Sequence, residues 1–154
     1  SPGQSIVVYG GLDIQNTHVG DLWAYDVDQS IWAALAVVSA DVPAARMSSV
    51  HFVWDDSLVV WGGDTLLGLE RDFWRYDFAT SSWEDLPQHG TIPAARFRSS
   101  FTLLNTPDGQ SPSSSLCSGG SNPTLAMFGG ITFLGTTDTD MHMLDLCTST
   151  WTSV

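Results

Sequence analysis

The chain contains no lysine. Its five cations are all arginine, set against 17 Asp and Glu, and the formal charge is −12 over 154 residues. Such a chain has little cation with which to displace counterions from a phosphate backbone, so nucleic acid is not an expected partner. Charged residues make up only 14%, where an average domain carries about 25%. Long apolar runs are missing: nothing approaches the roughly 18 residues of a membrane-crossing helix, so no membrane insertion is expected. No basic segment leads into an apolar one, so a signal peptide is absent or already removed. No segment has the length and 3.6-residue period of a helix. His18, His51, His89 and His142 share no metal-ligand spacing. There is no Cys-x-x-Cys, no phosphate loop, no Gly-x-Ser-x-Gly and no Asn-x-Ser/Thr. No catalytic residue, metal or other cofactor is therefore expected. What is present is apolar and aromatic: 43% hydrophobic residues and seven tryptophans, which excludes disorder. The length suits one domain.

Double glycines stand at Gly10-Gly11, Gly62-Gly63 and Gly129-Gly130, each after a short apolar run ending in Tyr9, Trp61 or Phe128. About ten residues later comes a second run, closing on Asp26, Asp77 or Asp145. Six residues beyond each Asp stands a tryptophan: Trp32, Trp83 and Trp151. Pro43-Ala44-Ala45-Arg46 and Pro93-Ala94-Ala95-Arg96 each precede a further strand-like segment. A full unit thus has four short segments, lettered A (after Pro-Ala-Ala-Arg), B (ending in Gly-Gly), C (ending in Asp) and D (opening with Trp). The third copy departs from the pattern with His142 for Trp23 and Trp74, and Leu144 for Tyr25 and Tyr76.

This pattern resembles the kelch repeat, a four-stranded blade of a β-propeller with a period near 50 residues. The resemblance implies an all-β fold of antiparallel four-stranded blades. They are placed at 1–40 (strands B to D, lacking A), 41–90 and 91–154, all parts of one propeller domain. Glycine pairs permit backbone conformations closed to other residues, and each closing Asp caps the turn after strand C. The three repeat tryptophans are expected between neighbouring sheets. Arg46 and Arg96 are expected to tie adjacent blades together. Eleven strands in three blades do not close a ring. The expected setting is a segment of a longer propeller, with self-association of two copies as the alternative.

The third copy is longer by an insertion rich in Ser, Gly and Pro over residues 106–124, read as a solvated loop. It carries Cys117, and Cys147 lies in the C–D turn of the same copy. In an up-and-down blade those connections share one end, so a Cys117–Cys147 disulfide is expected, with two unrelated thiols as the alternative. The bridge and the Ser-rich loop lean extracellular, although many kelch proteins are cytosolic.

The resemblance implies recognition rather than catalysis, through the D–A and B–C connections on the opposite end. The expected partner is a protein or a glycan. Arg98 breaks the repeat, since its counterpart is Ser48, and it is the leading candidate to face a ligand, with a carboxylate as its natural bidentate partner. Ser48, His18, Asn16, Arg71 and Asp64 complete the candidate set, and Asp138 lies on a neighbouring loop. The competing reading is a part of a secreted galactose oxidase-like enzyme whose site lies on other blades. Tyr9, Tyr25 and Tyr76 occupy positions that the repeat already explains.

Overall fold

A computed structural model describes residues 4–106, 113–118 and 122–154. Residues 107–112 and 119–121 of the expected insertion lie outside the described residues. The described chain is all-β apart from one 3-10 turn at Ser114–Ser118.

Strands β1 (Ser5–Leu12), β2 (His18–Asp26) and β3 (Ile31–Ala34) form a first antiparallel sheet in the order β1-β2-β3. The second contains β4 (Arg46–Met47), β5 (Val50–Trp54), β6 (Ser57–Thr65), β7 (Gly68–Asp77) and β8 (Ser82–Asp85). Here β5, β6, β7 and β8 follow one another as a meander, and β4 pairs with the far end of β6. The third sheet has the order β11-β12-β14-β15-β9, built from β9 (His89–Gly90), β11 (Ser100–Leu104), β12 (Thr124–Phe128), β14 (Met141–Asp145) and β15 (Thr150–Ser153). A two-residue ladder joins β10 (Arg96–Phe97) to β13 (Ile131–Thr132).

There are more strands than the repeat implies because segment A splits. Ser48 and Arg98 take the left-handed conformation, at φ 53° and 60°, and break the pairing between β4 and β5 and between β10 and β11. Gly129-Gly130 likewise separates β12 from β13. The remaining addition, β9, lies parallel to β15.

The sheets pack face to face. Tyr9 and Leu22 of the first sheet meet Leu58, Val60, Tyr76 and Trp83 of the second. On the other side Val59, Trp61, Phe73 and the alternate residues of β5 meet Leu125, Met127, Leu144 and Trp151 of the third. The middle sheet is thus covered on both faces, which explains the unbroken apolar run Leu58–Trp61. The connections join in. The amide of Val38 donates to the Ser81 carbonyl at 2.9 Å, the amide of Trp83 to Ser39 Oγ at 2.9 Å, and the amide of Thr91 to the Trp151 carbonyl at 2.9 Å. Each connection leaving one sheet therefore runs along the outer strand of the next.

The repeat tryptophans follow a direction. Trp83 packs on Tyr9 of the preceding sheet, ring centroids 4.9 Å apart, and Trp151 on Trp61, at 5.4 Å. They are 6% and 1% exposed, whereas Trp32 is 55% exposed. Trp32 stands on the outer face of the first sheet, beside Tyr25 at 5.0 Å, a face that no sheet among the described residues covers.

At one end of the stack lie the tight turns. Asp26 Oδ1 accepts from the Gln29 amide, Asp77 Oδ1 from Ala79 and Thr80, and Asp145 Oδ1 from Cys147 and Thr148. These bonds hold the Asp77 carboxyl below the ordinary aspartate value. The 3-10 turn docks at this same end, its Ser114 amide and hydroxyl donating to Asp55 Oδ1 at 3.1 and 2.9 Å. Cys117 and Cys147 are at disulfide distance, with Cα atoms 5.7 Å apart, and Cys117 packs against the core between the second and third sheets. The part of the insertion that is described is thus anchored rather than free. Closing a loop across a separation of 30 residues is worth about 3–4 kcal/mol in the chain-entropy model. Reduction is therefore expected to lower the unfolding free energy by about 3 kcal/mol in a denaturant titration, and two alkylation adducts without reductant would show that the bridge is absent.

Candidate functional site

The other end carries the long connections. It is shaped by the double glycines, whose positive φ (68° and 119° at Gly10-Gly11, 64° and 106° at Gly62-Gly63) shifts the β1–β2 and β6–β7 registers. Past each bulge the pairing resumes, so His18, Asp64 and Arg71, expected in loops, sit in β2, β6 and β7. A side chain at Gly10 would collide with the Arg46 carbonyl, which rests directly on it.

Beneath this surface lies a repeated polar frame. Arg46 is fully buried. Its guanidinium donates to both oxygens of Asp72, at 2.5 and 2.8 Å, and to the carbonyls of Gly62 and Ala44, each at 2.9 Å. Trp74 Nε1 donates to the same carboxylate at 2.7 Å. Burial pulls the Arg46 pKa down, and the Asp72 carboxylate more than reverses that, leaving it above its ordinary value. Arg96 repeats the arrangement on Gly129 and Ala94, with Asp138 as its carboxylate and His142 Nε2 at 3.4 Å from the same oxygen. Partial burial alone would raise the Asp138 pKa, but hydrogen bonds from the Asp140 amide, Arg96 and His142 hold it below the ordinary value. Two expectations change here. Each guanidinium closes onto its own sheet rather than across to the neighbour, and Asp138 serves the frame instead of a loop surface. Tyr9 Oη donates to the Pro43 carbonyl at 3.1 Å, and burial pushes its pKa up to about 12, keeping the phenol a donor.

The candidate recognition residues fall into groups. Ser48 and Arg98 are neighbours, the Arg98 amide donating to the Ser48 carbonyl at 3.0 Å. The exposed Arg98 guanidinium lies over the Phe97 ring, 5.2 Å from its centroid. His18 Nε2 stands 3.5 Å from Asp64 Oδ2, joining the first and second sheets. Asn16 sits at the tip of the β1–β2 hairpin with φ 60°. The Arg71 side chain is exposed, and its carbonyl accepts from Gln88 Nε2 at 2.8 Å.

Sequence reasoning missed two features. Gln88 Oε1 accepts from the indoles of both Trp61 and Trp151, at 2.9 Å each, a part-buried polar link at the edge of the core. The other is the hairpin tips. Ile14, Leu66, Leu67, Phe133 and Leu134 are almost wholly exposed, and they top the three connections between B and C segments. The signal was there: Thr65-Leu66-Leu67-Gly68 recurs as Thr132-Phe133-Leu134-Gly135. Among the described residues no three His, Cys, Asp or Glu side chains are grouped to hold a metal ion.

Comparison with known proteins agrees with this geometry. Over 86 residues the chain is 36% identical to human (Homo sapiens) multiple epidermal growth factor-like domains protein 8, covering 54% of this chain and 3% of that protein. Its Mus musculus counterpart is 28% identical over 101 residues, 60% of this chain and 4% of that protein. Acyl-CoA-binding domain-containing protein 5 of Arabidopsis thaliana is 29% identical over 96 residues, 61% of this chain and 14% of that protein. The chain thus spans only a small part of each relative. The family model described as the KLHDC2/KLHL20/DRC7 Kelch-repeats domain matches residues 1–110, most of the chain. With its antiparallel meanders, paired glycines and repeated tryptophans, the chain belongs to the Kelch-repeats domain family.

Proposed function

We propose that this chain is a three-blade section of a kelch propeller, with blades at 1–40, 41–90 and 91–154, that binds a protein partner through its loop-bearing end and performs no chemistry on it. Kelch domains in general are protein-interaction modules. The row of exposed apolar hairpin tips carries the reading. Large apolar side chains left in water in adjacent pairs, as at Leu66-Leu67 and Phe133-Leu134, mark places where another protein sits. A glycan would ask instead for polar side chains at those tips. Around them stand Asp13, Asp64 and Glu70, with only Arg71 and Arg98 as outward cations, because Arg46 and Arg96 are spent in the frame. A partner with apolar pockets ringed by positive charge fits this surface. Arg98, held over Phe97, is the one placed cation, suited to a carboxylate on the partner.

The test uses the partner captured by a photo-crosslinking residue at position 67. Arg98→Ala is expected to weaken that complex by at least about 1 kcal/mol while the unfolding midpoint stays put. Loss of folding with unchanged affinity would make Arg98 a structural residue.

A further inference from the structure

We propose a second binding site, at the outer edge of the second sheet: the groove between β8 and the connection from β3 to β4 takes an arginine side chain presented on an extended segment of a protein partner. The groove has a volume of about 670 Å³. Its walls are Ala40, Asp41 and Val42 of the connection and Trp74, Trp83 and Asp85 of the sheet.

The third sheet shows why this groove is open. There the matching connection is zipped onto the outer strand: His89 and Gly90 pair with Thr150 and Trp151, and the Thr91 amide donates to the Trp151 carbonyl at 2.9 Å. Counted back from the shared Pro-Ala-Ala-Arg, Asp41 stands where Thr91 does. In the second sheet the connection holds β8 through the Val38 amide on the Ser81 carbonyl and the Trp83 amide on Ser39 Oγ, at 2.9 Å each. Among the described residues no hydrogen bond joins Asp41 to Trp83, so past Ser39 the connection stands off the strand. The Trp83 amide points outward to Ser39, and in a strand the carbonyl of the same residue points the same way. That carbonyl is an open acceptor for an extended segment lying in the groove.

The lining is equally particular to this sheet. Asp85 is paired with Trp74, whereas the same places hold Ala34 with Trp23 in the first sheet and Ser153 with His142 in the third. The Asp85 carboxylate is thus no part of the repeated frame. Arg46 engages Asp72 and Arg75 engages Glu84, but Asp41 and Asp85 pair with no cation among the described residues. Partial burial and the charge of Asp72 hold the Asp85 pKa above its ordinary value, as expected of a carboxylate without a counter-ion. The Trp74 ring is fixed by its indole bond to Asp72 at 2.7 Å. Indole surface beside uncompensated carboxylates attracts a cation. A planar guanidinium can stack on the ring and meet a carboxylate in two places, which the point charge of lysine cannot do. Ala40 and Val42, both exposed, offer apolar surface to the stem of the arginine.

The probe is a capped Gly-Val-Arg-Val-Gly peptide, titrated into the isotope-labelled chain and followed by NMR. Saturable shifts are expected in the indole N–H signals of Trp74 and Trp83 and in the amides of residues 83–85, with a fall in the Asp85 pKa at saturation. Asp85→Asn should weaken binding about fivefold, as for loss of one partly exposed ion pair. Citrulline in place of the arginine keeps the shape and loses the charge, and should weaken it at least about tenfold, because the ionic and cation–π contacts go together. Lysine in that place should also bind more weakly. Leu67→Ser should leave binding unchanged, because the groove does not draw on the hairpin tips. No saturable shift, equal binding of the citrulline or the lysine peptide, or indifference to Asp85→Asn each overturns the proposal.

Discussion

Trp83→Ala is expected to lower the unfolding free energy by about 3–5 kcal/mol in a denaturant titration. Trp83 belongs to β8 yet packs on Tyr9 in the preceding sheet and on Tyr76 in its own, with centroids 4.9 and 5.3 Å away. Removing it loses indole burial and also leaves a hole between two sheets, lined by Leu58, Val60 and Tyr9. The strands on either side are fixed by their own ladders and cannot close in, so the cavity cost adds to the transfer cost. Trp32→Ala supplies the contrast. The residue has the same place in its repeat, but more than half its surface is in water, and a change within about 1 kcal/mol is expected. Equal losses at the two positions would show that the stacking direction is wrong.

Arg46→Ala is expected to cost about 3 kcal/mol or more, as for breaking a buried ion pair by removing one partner. Arg46 satisfies Asp72, Gly62 and Ala44 at once. Without it a carboxylate that is 27% exposed and two carbonyls lose their donor. Water can reach Asp72 in part, which places the loss at the low end of the range for fully buried pairs. Arg46→Lys should recover little, since one ammonium cannot meet the carboxylate in two places and the Gly62 carbonyl together. A loss below 1 kcal/mol for Arg46→Ala would mean that the frame is not a source of stability.

Much of this was legible in the residues. The Gly-Gly, Asp and Trp landmarks depend on local geometry: a left-handed bulge, an Asx turn, the start of an outer strand. Such needs recur wherever the backbone recurs. The closeness of Cys117 and Cys147 followed from topology, because two connections at one end of a sheet are close whatever their sequence. What was not legible depends on non-local packing. Trp32 carries the same motif as Trp83, and only the presence or absence of a covering sheet decides its exposure. Asp138, expected on a recognition loop, pairs with Arg96 instead, and spacing from the landmarks does not report which carboxylate reaches the guanidinium. The apolar tips at Leu66-Leu67 and Phe133-Leu134 carry no polar side chain, the usual mark of a recognition loop. The repeated Thr-Leu-Leu-Gly and Thr-Phe-Leu-Gly show that apolar residues were placed there twice.

The claim that one end of the stack takes a protein partner is tested most directly by scanning a photo-crosslinking residue over both ends in a native extract. Positions 14, 67 and 133 are the hairpin tips, and positions 28, 80 and 148 are the tight turns at the other end. The account predicts a shared crosslinked protein from the first three positions and none from the last three, with the tip adduct lost on adding excess unlabelled chain. Adducts from 28, 80 and 148 with none from the tips would contradict it.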